Sequence, residues 1–303
     1  MKWKTIILGL SLLLLLAPFG WAKKLFVVTS VPDLADIARQ IGKERVEVVS
    51  LTTGVENLHH VPLKPSFLVT LRKADVLIVL GLEAEHAWLP ALIEASRNKK
   101  IRYGAPGYVD ASKYIIPIEI PEAIDPALGH VHPKGNPHYN LDPKAGPKMA
   151  KAIAEGLSLN DPTNAAYYQA NLSAYLEFLR EKWHEWKEKG EKLRGLRFIS
   201  YHKTFGYFAR RFGMIEVGTI QLATGVEPTP THLKELLEKA RRNGCEVVIR
   251  EVYYPEKTPR RVARALGVPL VSLPVMVGGV PEVKTWPELI DYLIEGLSEI
   301  RDE

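Results

Sequence analysis

Three histidines lie in separate and recognisable settings of this 303-residue chain. His59 stands in the segment Leu-His-His-Val-Pro, His138 follows Asn-Pro, and His202 follows Ser-Tyr. Neutral imidazoles that a fold gathers from distant parts of a chain are the usual ligands of borderline transition metals, above all Zn²⁺. Any one of them alone is more typical of a structural or solvated side chain, so the prediction of a metal site rests on their occurring together.

The elements that would position these histidines follow an alternating pattern. Short runs rich in Val, Ile and Leu are separated by amphipathic segments, which indicates parallel strands buried on both faces and covered by helices. The predicted strands span residues 25–29, 46–51, 76–80, 197–201, 215–220, 246–250 and 269–273. The predicted helices span residues 33–41, 66–73, 88–96, 204–212, 231–242, 258–266 and 286–300. Each half of the chain is therefore predicted to be a Rossmann-like α/β lobe.

A long helix is predicted between the two halves, because residues 163–189 contain no glycine or proline. Asp161 is its predicted N-cap and Pro162 its first helical residue, and apolar residues then recur every three or four positions. The length of the chain also favours two domains. The predicted organisation is a leader of residues 1–22, an N-terminal lobe of residues 23–160, a linker helix of residues 161–193 and a C-terminal lobe of residues 194–303.

The first 22 residues have the pattern of a cleaved secretory signal peptide. Two lysines precede the apolar run of residues 6–18, and Gly20 and Ala22 are the small residues before a cut at Lys23. The run is shorter than the about 20 apolar residues that a membrane-spanning helix needs. The only cysteine, Cys245, is far from this cut and has no partner for a disulfide, so no lipid attachment is expected. We therefore expect a soluble, exported, periplasmic protein that is not lipidated.

Composition is ordinary for a globular protein, with 46% hydrophobic and 25% charged residues. The net charge of +5 includes two lysines of the leader and gives no reason to expect a nucleic-acid partner. One long segment, residues 114–136, lacks periodicity and carries His130 and His132 among several prolines and glycines. Loops of this length are usually functional or mobile.

In open α/β sheets, ligands bind beyond the carboxyl ends of the strands. His59 follows the second predicted strand, and His202 follows the first predicted strand of the second half, so we expect them to face each other across a cleft between the lobes. His138 lies in a turn that precedes a helix. Asp142, four residues later, either orients His138 as a hydrogen-bond acceptor or caps that helix, and capping is the favoured interpretation.

At these same positions the chain resembles a known family, the metal-binding solute-binding proteins of ATP-binding-cassette (ABC) transporters, of the zinc and manganese type called cluster A-I. Residues 59–66, His-His-Val-Pro-Leu-Lys-Pro-Ser, resemble its first motif, a histidine followed by Pro-x-Pro-Ser. Residues 136–143, Asn-Pro-His-Tyr-Asn-Leu-Asp-Pro, resemble its Asp-Pro-His-x-Trp-x-Asp-Pro motif. Residues 202–208, His-Lys-Thr-Phe-Gly-Tyr-Phe, resemble its third motif. The resemblance extends over essentially the whole chain after the leader.

The resemblance implies two α/β lobes joined by one long helix, with a metal held between them and passed to an ABC transporter permease in the inner membrane. A monomer suits such a diffusing carrier. The implied metal ligands are His59, His138 and His202. Histidine-rich loops of zinc-binding members lie where this chain has His130 and His132, which suggests a role for these two residues in metal capture.

The fourth ligand departs from the family pattern. Many members supply an aspartate just before the last helix, but residues 275–286 contain none, and Lys284 stands at its position. Glu251, at the carboxyl end of its predicted strand, is the best carboxylate candidate. The alternatives are Glu282, His60 and a water molecule.

Three imidazoles favour Zn²⁺ over Mn²⁺, because manganese sites use more carboxylate oxygen. The expected function is therefore capture of Zn²⁺ for an ABC importer. Binding of Mn²⁺ or another divalent metal, or a role as a metallochaperone or adhesin, are the alternatives. An exported zinc hydrolase is a remote one, since it needs an open metal position, a general base and an oxyanion stabiliser, and no His-Glu-x-x-His motif is present. We therefore expect no enzyme activity.

Overall fold

The computed structural model describes residues 23–121, 132–222 and 225–302, so the predicted leader and His130 lie outside the described residues. The strands of the first lobe are β1 (Leu25–Thr29), β2 (Val46–Ser50), β3 (Val76–Val79) and β4 (Tyr108–Asp110), and those of the second are β5 (Arg197–Ser200), β6 (Ile215–Thr219), β7 (Val247–Glu251) and β8 (Leu270–Leu273). The helices are α1 (Pro32–Gly42), α2 (Pro65–Lys73), α3 (Leu89–Ser96), α4 (Gly146–Asn160), α5 (Ala165–Gly190), α6 (Gly206–Phe212), α7 (Pro230–Arg242), α8 (Lys257–Leu266) and α9 (Trp286–Asp302).

Each lobe contains a four-stranded sheet in which all neighbouring strands are parallel. The strand orders are β2-β1-β3-β4 and β6-β5-β7-β8. The residues of β3 are buried throughout, as expected for a strand covered by helices on both faces. The predicted fold class, two α/β lobes with parallel sheets, is thus confirmed. The short strand β4 was not predicted.

The long helix α5 packs against α1 and α4 of the first lobe and against α9 of the second. Its apolar stripe is buried, including Tyr168, Leu179 and Trp186. The predicted capping by Asp161 is wrong in detail, because a short 3₁₀ turn separates Asp161 from the helix. The Asp161 carboxylate instead accepts a hydrogen bond from the Tyr168 hydroxyl at 2.6 Å, which ties this turn to the first turn of the helix.

The two lobes share one hydrophobic core, which contains residues of both sheets and of α5. The rings of Trp186 and Trp286 meet edge to face with centroids 5.9 Å apart. The Trp286 indole N–H donates to the carbonyl of Asn140 at 2.7 Å, across the lobe boundary. Because α9 is anchored in this way, the segment before it is held against the first lobe.

Polar contacts also join the two lobes. The Asn140 side-chain amide donates to Asp33 Oδ1 at 3.1 Å and to the carbonyl of Val275 at 2.8 Å. The Val277 backbone N–H donates to Asp33 Oδ2 at 3.2 Å. Gly54 approaches the same segment so closely that a Cβ on it would lie 2.0 Å from the Val277 carbonyl oxygen. The segment that carries an aspartate ligand in many resembling proteins is therefore a contact between the lobes here.

Within the described part of the chain, no helix is both long enough and apolar enough to cross a membrane.

Candidate metal centre

His59 lies in the loop between β2 and α2, at the carboxyl edge of the first sheet. Its ring is completely buried. Its backbone N–H donates to Asn57 Oδ1 at 3.0 Å, and the carbonyl of the preceding Leu58 accepts the Trp88 indole N–H at 3.0 Å. Because the backbone is held on both sides of His59, its imidazole is presented from a fixed position.

His138 lies in the turn before α4, and its Nε2 is 3.1 Å from His59 Nε2. Its backbone N–H and its ring Nδ1 both lie 2.9 Å from Asn136 Oδ1. An amide oxygen only accepts, so Nδ1 carries the proton and Nε2 offers its lone pair. Burial first, and then His202 and His132, lower the pKa of His138 well below its usual value. The ring is therefore neutral at physiological pH, the form that binds a metal.

His202 follows β5 of the second lobe and is nearly buried. Its ring centroid lies 5.5 Å from that of His59 and 5.4 Å from that of His138. The three histidines predicted from the sequence are thus brought together by residues of both lobes. In a tetrahedral zinc site with Zn–N bonds of 2.0–2.1 Å, ligand nitrogens lie about 3.3 Å apart. The 3.1 Å separation between the Nε2 atoms of His59 and His138 is close to this value.

His132, at the end of the long loop, joins the same cluster. Its ring centroid lies 4.7 Å from that of His59 and 6.1 Å from that of His138. Ligand atoms of His59, His132 and His202 all lie within 4.8 Å of one another. The sequence drew attention to His132 only as a loop residue with a suggested role in metal capture. Its position as a fourth imidazole depends on the path of the loop through space, and the spacing of residues along the sequence does not predict that path.

Glu251 ends β7 and is fully buried, close to the loop that carries His202. The Thr204 hydroxyl donates to its Oε1, and its Oε2 has no hydrogen-bond partner among the described residues. Burial raises the pKa of Glu251 to about 8, against the opposing hydrogen bonds from Thr204 and the His202 backbone. The group of ligand atoms that lie within 4.8 Å of one another consists of His59, His132 and His202, and it includes neither Glu251 nor His138, which joins the cluster through its contact with His59. Its predicted role as a ligand stays a prediction.

The other candidates for a fourth ligand lie at the surface. Glu282 is exposed, and so is His60. The His60 Nε2 faces Gly225 of the second lobe, where a Cβ would lie 3.3 Å away. Neither Glu282 nor His60 contributes an atom to the group of ligand atoms that lie within 4.8 Å of one another.

Asp142 neither orients His138 nor caps α4, so the capping prediction is wrong. The N-cap of α4 is Ala145. Asp142 Oδ1 accepts from the Lys144 backbone N–H at 2.9 Å, and both carboxylate oxygens pair with the Arg211 guanidinium at 2.8 Å. The partner that orients His138 is Asn136, two residues before it.

Comparison with known proteins agrees with this geometry. The family model described as "ZnuA: Zinc-uptake complex component A periplasmic" matches residues 27–300. The chain belongs to the ZnuA family. This is a family of substrate-binding components of metal ABC transporters, so the resemblance seen in the sequence is confirmed.

Relatives named for manganese transport and for zinc uptake have about the same sequence identity to this ZnuA-family chain. The manganese ABC transporter substrate-binding lipoprotein PsaA of Streptococcus pneumoniae is 27% identical over 254 residues, which cover 82% of this chain and 79% of PsaA. The high-affinity zinc uptake system protein ZnuA of Bacillus subtilis is 25% identical over 284 residues, which cover 92% and 87%. The relatives therefore support a metal ligand without choosing between zinc and manganese.

Solved structures have the same two-lobed fold. A zinc-bound deletion mutant of ZnuA has a TM-score of 0.77 at 25% identity and covers 92% of this chain and 98% of its own. A manganese-bound mutant of a periplasmic metal-binding protein from Candidatus Liberibacter asiaticus has a TM-score of 0.76 at 19% identity, with coverage of 91% and 99%. The latter likeness is evidence for the fold alone.

Proposed function

We propose that this ZnuA-family protein captures Zn²⁺ in the cleft between its lobes and delivers it to the permease of an ABC importer. The observation that carries the proposal is the convergence of imidazoles from three loops and both lobes, with the Nε2 atoms of His59 and His138 3.1 Å apart. The ligands that we assign are His59, His132, His138 and His202. Four protein ligands complete a tetrahedron and leave no open position for catalysis, so the site binds rather than reacts.

The donor set supports zinc as the cargo. Manganese sites prefer carboxylate, carbonyl and water oxygens, whereas imidazole suits zinc. Geometry favours His132 over Glu251 as the fourth ligand, because His132 belongs to the group of ligand atoms within 4.8 Å of one another and Glu251 does not. Copper binds such ligands more tightly than zinc does, so its exclusion depends on the geometry of the site or on metal supply.

We also propose that the protein acts in the periplasm as a monomer without a lipid anchor. Several relatives are named lipoproteins, and lipid attachment needs a cysteine near the N-terminus. The only cysteine of this chain is Cys245, which lies in the second lobe before β7. Burial raises the pKa of its thiol, which further lowers its reactivity. Mass spectrometry of the protein purified from periplasm and from membranes tests this proposal.

The metal assignment is tested by zinc titration of the purified protein against a chelator, with and without excess Mn²⁺. We expect one zinc per chain and displacement by manganese only at a large excess. His132→Ala should weaken zinc binding much more than Glu251→Gln, because only the first removes a ligand. The exposed His184→Ala is the matched control and should leave binding unchanged.

Tighter binding of Mn²⁺ than of Zn²⁺ would overturn the choice of metal. A loss of affinity in Glu251→Gln that exceeds the loss in His132→Ala would transfer the fourth position to the carboxylate. Unchanged zinc binding in both His59→Ala and His202→Ala would rule out the site itself.

A further inference from the structure

The amide of Asn136 is held in one orientation by two acceptors. Its Nδ2 donates to Glu119 Oε2 at 2.9 Å and to the carbonyl of Lys203 at 3.0 Å. A rotated amide would point its oxygen at both of these oxygens and lose both hydrogen bonds. Since Nδ2 must face Glu119 and Lys203, Oδ1 must face His138. Glu119 therefore helps to decide which ring nitrogen of His138 carries the proton.

Glu119 is fixed in an unusual backbone conformation at the boundary between the lobes. Its φ of 55° lies in the left-handed region, which is uncommon for residues other than glycine and costs free energy. Its carboxylate lies 3.4 Å from the Lys203 ammonium. At Gly206 of the second lobe, a Cβ would lie 2.8 Å from Glu119 Oε1. The absence of a side chain at Gly206 thus leaves room for the carboxylate.

The backbone on either side of this contact is also fastened. The Asn136 N–H donates to the carbonyl of Ile118 at 2.9 Å, and the Tyr207 hydroxyl donates to the carbonyl of Asn136 at 3.0 Å. The segments around Ile118 and Asn136 are therefore bonded to each other, and Tyr207 of α6 fastens them to the second lobe. One group, the Asn136 amide, separates the negative charge of the Glu119 carboxylate from the His138 imidazole.

We propose that Glu119 is a positioning residue for metal binding, acting on His138 through Asn136. The inference rests on the proposed function, in which His138 Nε2 is a zinc ligand. Histidine ligands commonly donate their other ring N–H to a carboxylate or carbonyl, which fixes the tautomer and makes the ligand nitrogen more basic. The motif of the resembling proteins has an aspartate at position 136. Here the acceptor is a neutral amide, and the carboxylate that orients and polarises it comes from Glu119.

The test compares Glu119→Ala and Glu119→Gln with the wild-type protein in zinc competition titrations. Loss of a residue that supports a metal ligand typically costs 10–100-fold in affinity, and we expect Glu119→Ala to fall in that range. Glu119→Gln keeps an oxygen that accepts from Asn136 but loses the charge, so its loss should be smaller. Lys203→Met is the matched control, because it removes the ion pair and keeps the backbone carbonyl. Its zinc affinity should stay within a few-fold of wild type.

A second comparison separates positioning from a purely structural role. In Asn136→Asp, the new carboxylate accepts the His138 Nδ1–H directly and lies beside Glu119 with the same charge. Adding Glu119→Ala to this variant should therefore leave zinc affinity unchanged or raise it. The ¹⁵N chemical shifts of the His138 ring in the metal-free proteins give an independent measurement. We expect the Nδ1–H tautomer in the wild type and a mixture of tautomers in Glu119→Ala.

The inference is overturned if Glu119→Ala binds zinc like the wild type with an unchanged His138 tautomer, or if it costs the same in the Asn136→Asp background. The proposed function fails differently, through a wild-type protein that binds no zinc. In that case the tautomer measurement still decides whether Glu119 orients His138.

Discussion

The two lobes have the same scaffold but contribute unequal numbers of imidazoles to the cluster that we propose as the metal centre. The four parallel strands of each lobe lie in the same order across the sheet. That order is the second strand in sequence, then the first, the third and the fourth. The first lobe and its long loop supply His59, His132 and His138, whereas the second lobe supplies His202 and places the buried Glu251 beside it. The difference lies in the loops beyond the strands. In the proposed site, the first lobe presents three of the four imidazoles and the second lobe presents one.

Each lobe also contains an acid of raised pKa near its first strand, the buried Glu85 in the first lobe and the half-buried Glu216 in the second. At the carboxyl end of β1, the Ser30 hydroxyl donates to Glu85 at 2.5 Å, and the Ser200 hydroxyl in β5 donates to Glu216 at 2.5 Å. Burial raises the pKa of both carboxyl groups to about 7. Each lobe thus has one acid of raised pKa bonded to a serine at the end of its first strand, but the acids come from different places, Glu85 from the segment after β3 and Glu216 from β6.

The largest expected effect tests the unequal contribution of imidazoles directly. His59→Ala removes an imidazole that contacts all three of the others and lies 3.1 Å from His138 through their Nε2 atoms, whereas His202→Ala leaves the three histidines of the first lobe in place. Structural zinc binding of about 10–16 kcal/mol, shared among four ligands, gives about 3 kcal/mol for each. We expect His202→Ala to weaken zinc binding by about 100-fold and His59→Ala by more, measured by chelator competition.

Circular dichroism of both metal-free variants controls for folding. If His202→Ala loses more affinity than His59→Ala, the first lobe is not the main contributor to the site.

The next prediction compares the two lobes through the pH dependence of the unfolding free energy. Glu85 and Glu216 have a folded-state pKa of about 7, above the model value of 4.5. Folding therefore favours their protonated form. Their contribution to the unfolding free energy is fully present below about pH 4.5 and is lost as the pH rises through about 7. Each unit of difference between the folded and unfolded pKa is worth about 1.4 kcal/mol. We expect metal-free protein to lose about 2–3 kcal/mol of unfolding free energy for each group between pH 5 and pH 8, measured by urea unfolding.

The controls for this prediction are Glu85→Gln and Glu216→Gln, each of which should flatten the pH dependence by a similar amount. Their absolute stability at pH 5 is not diagnostic, because the amide changes the local hydrogen bonds. A stability that rises between pH 5 and pH 8 in the wild type and in both variants alike contradicts the assignment of these acids.

The sequence was sufficient for the strands and for three of the histidines because both depend on local patterns. Runs of β-branched residues place β1 and β7 within a residue or two of their observed bounds. Strand β4 has only three residues, too few for a periodic signal. His132 was not recognised as a member of the cluster because the path of a long loop depends on contacts with the second lobe. The role of Asn136 in orienting His138 was missed because its amide is held by Glu119 and Lys203, which are distant from it in sequence.

The smallest expected effect concerns Asp142. Asp142 forms a bidentate ion pair with Arg211 across the lobe boundary, and its side chain is only 13% exposed while that of Arg211 is 33% exposed. A partly exposed pair of this kind stabilises a protein by about 1 kcal/mol or less. Asp142→Asn should lower the unfolding free energy by about that amount in urea titrations and change zinc affinity by less than a few-fold, since the carboxylate does not contact His138. Arg211→Met should match it in both measurements. If Asp142→Asn instead weakens zinc binding by 10-fold or more while Arg211→Met does not, Asp142 orients the metal ligand, and the division between a ligand-bearing first lobe and a closing second lobe needs another link at this boundary.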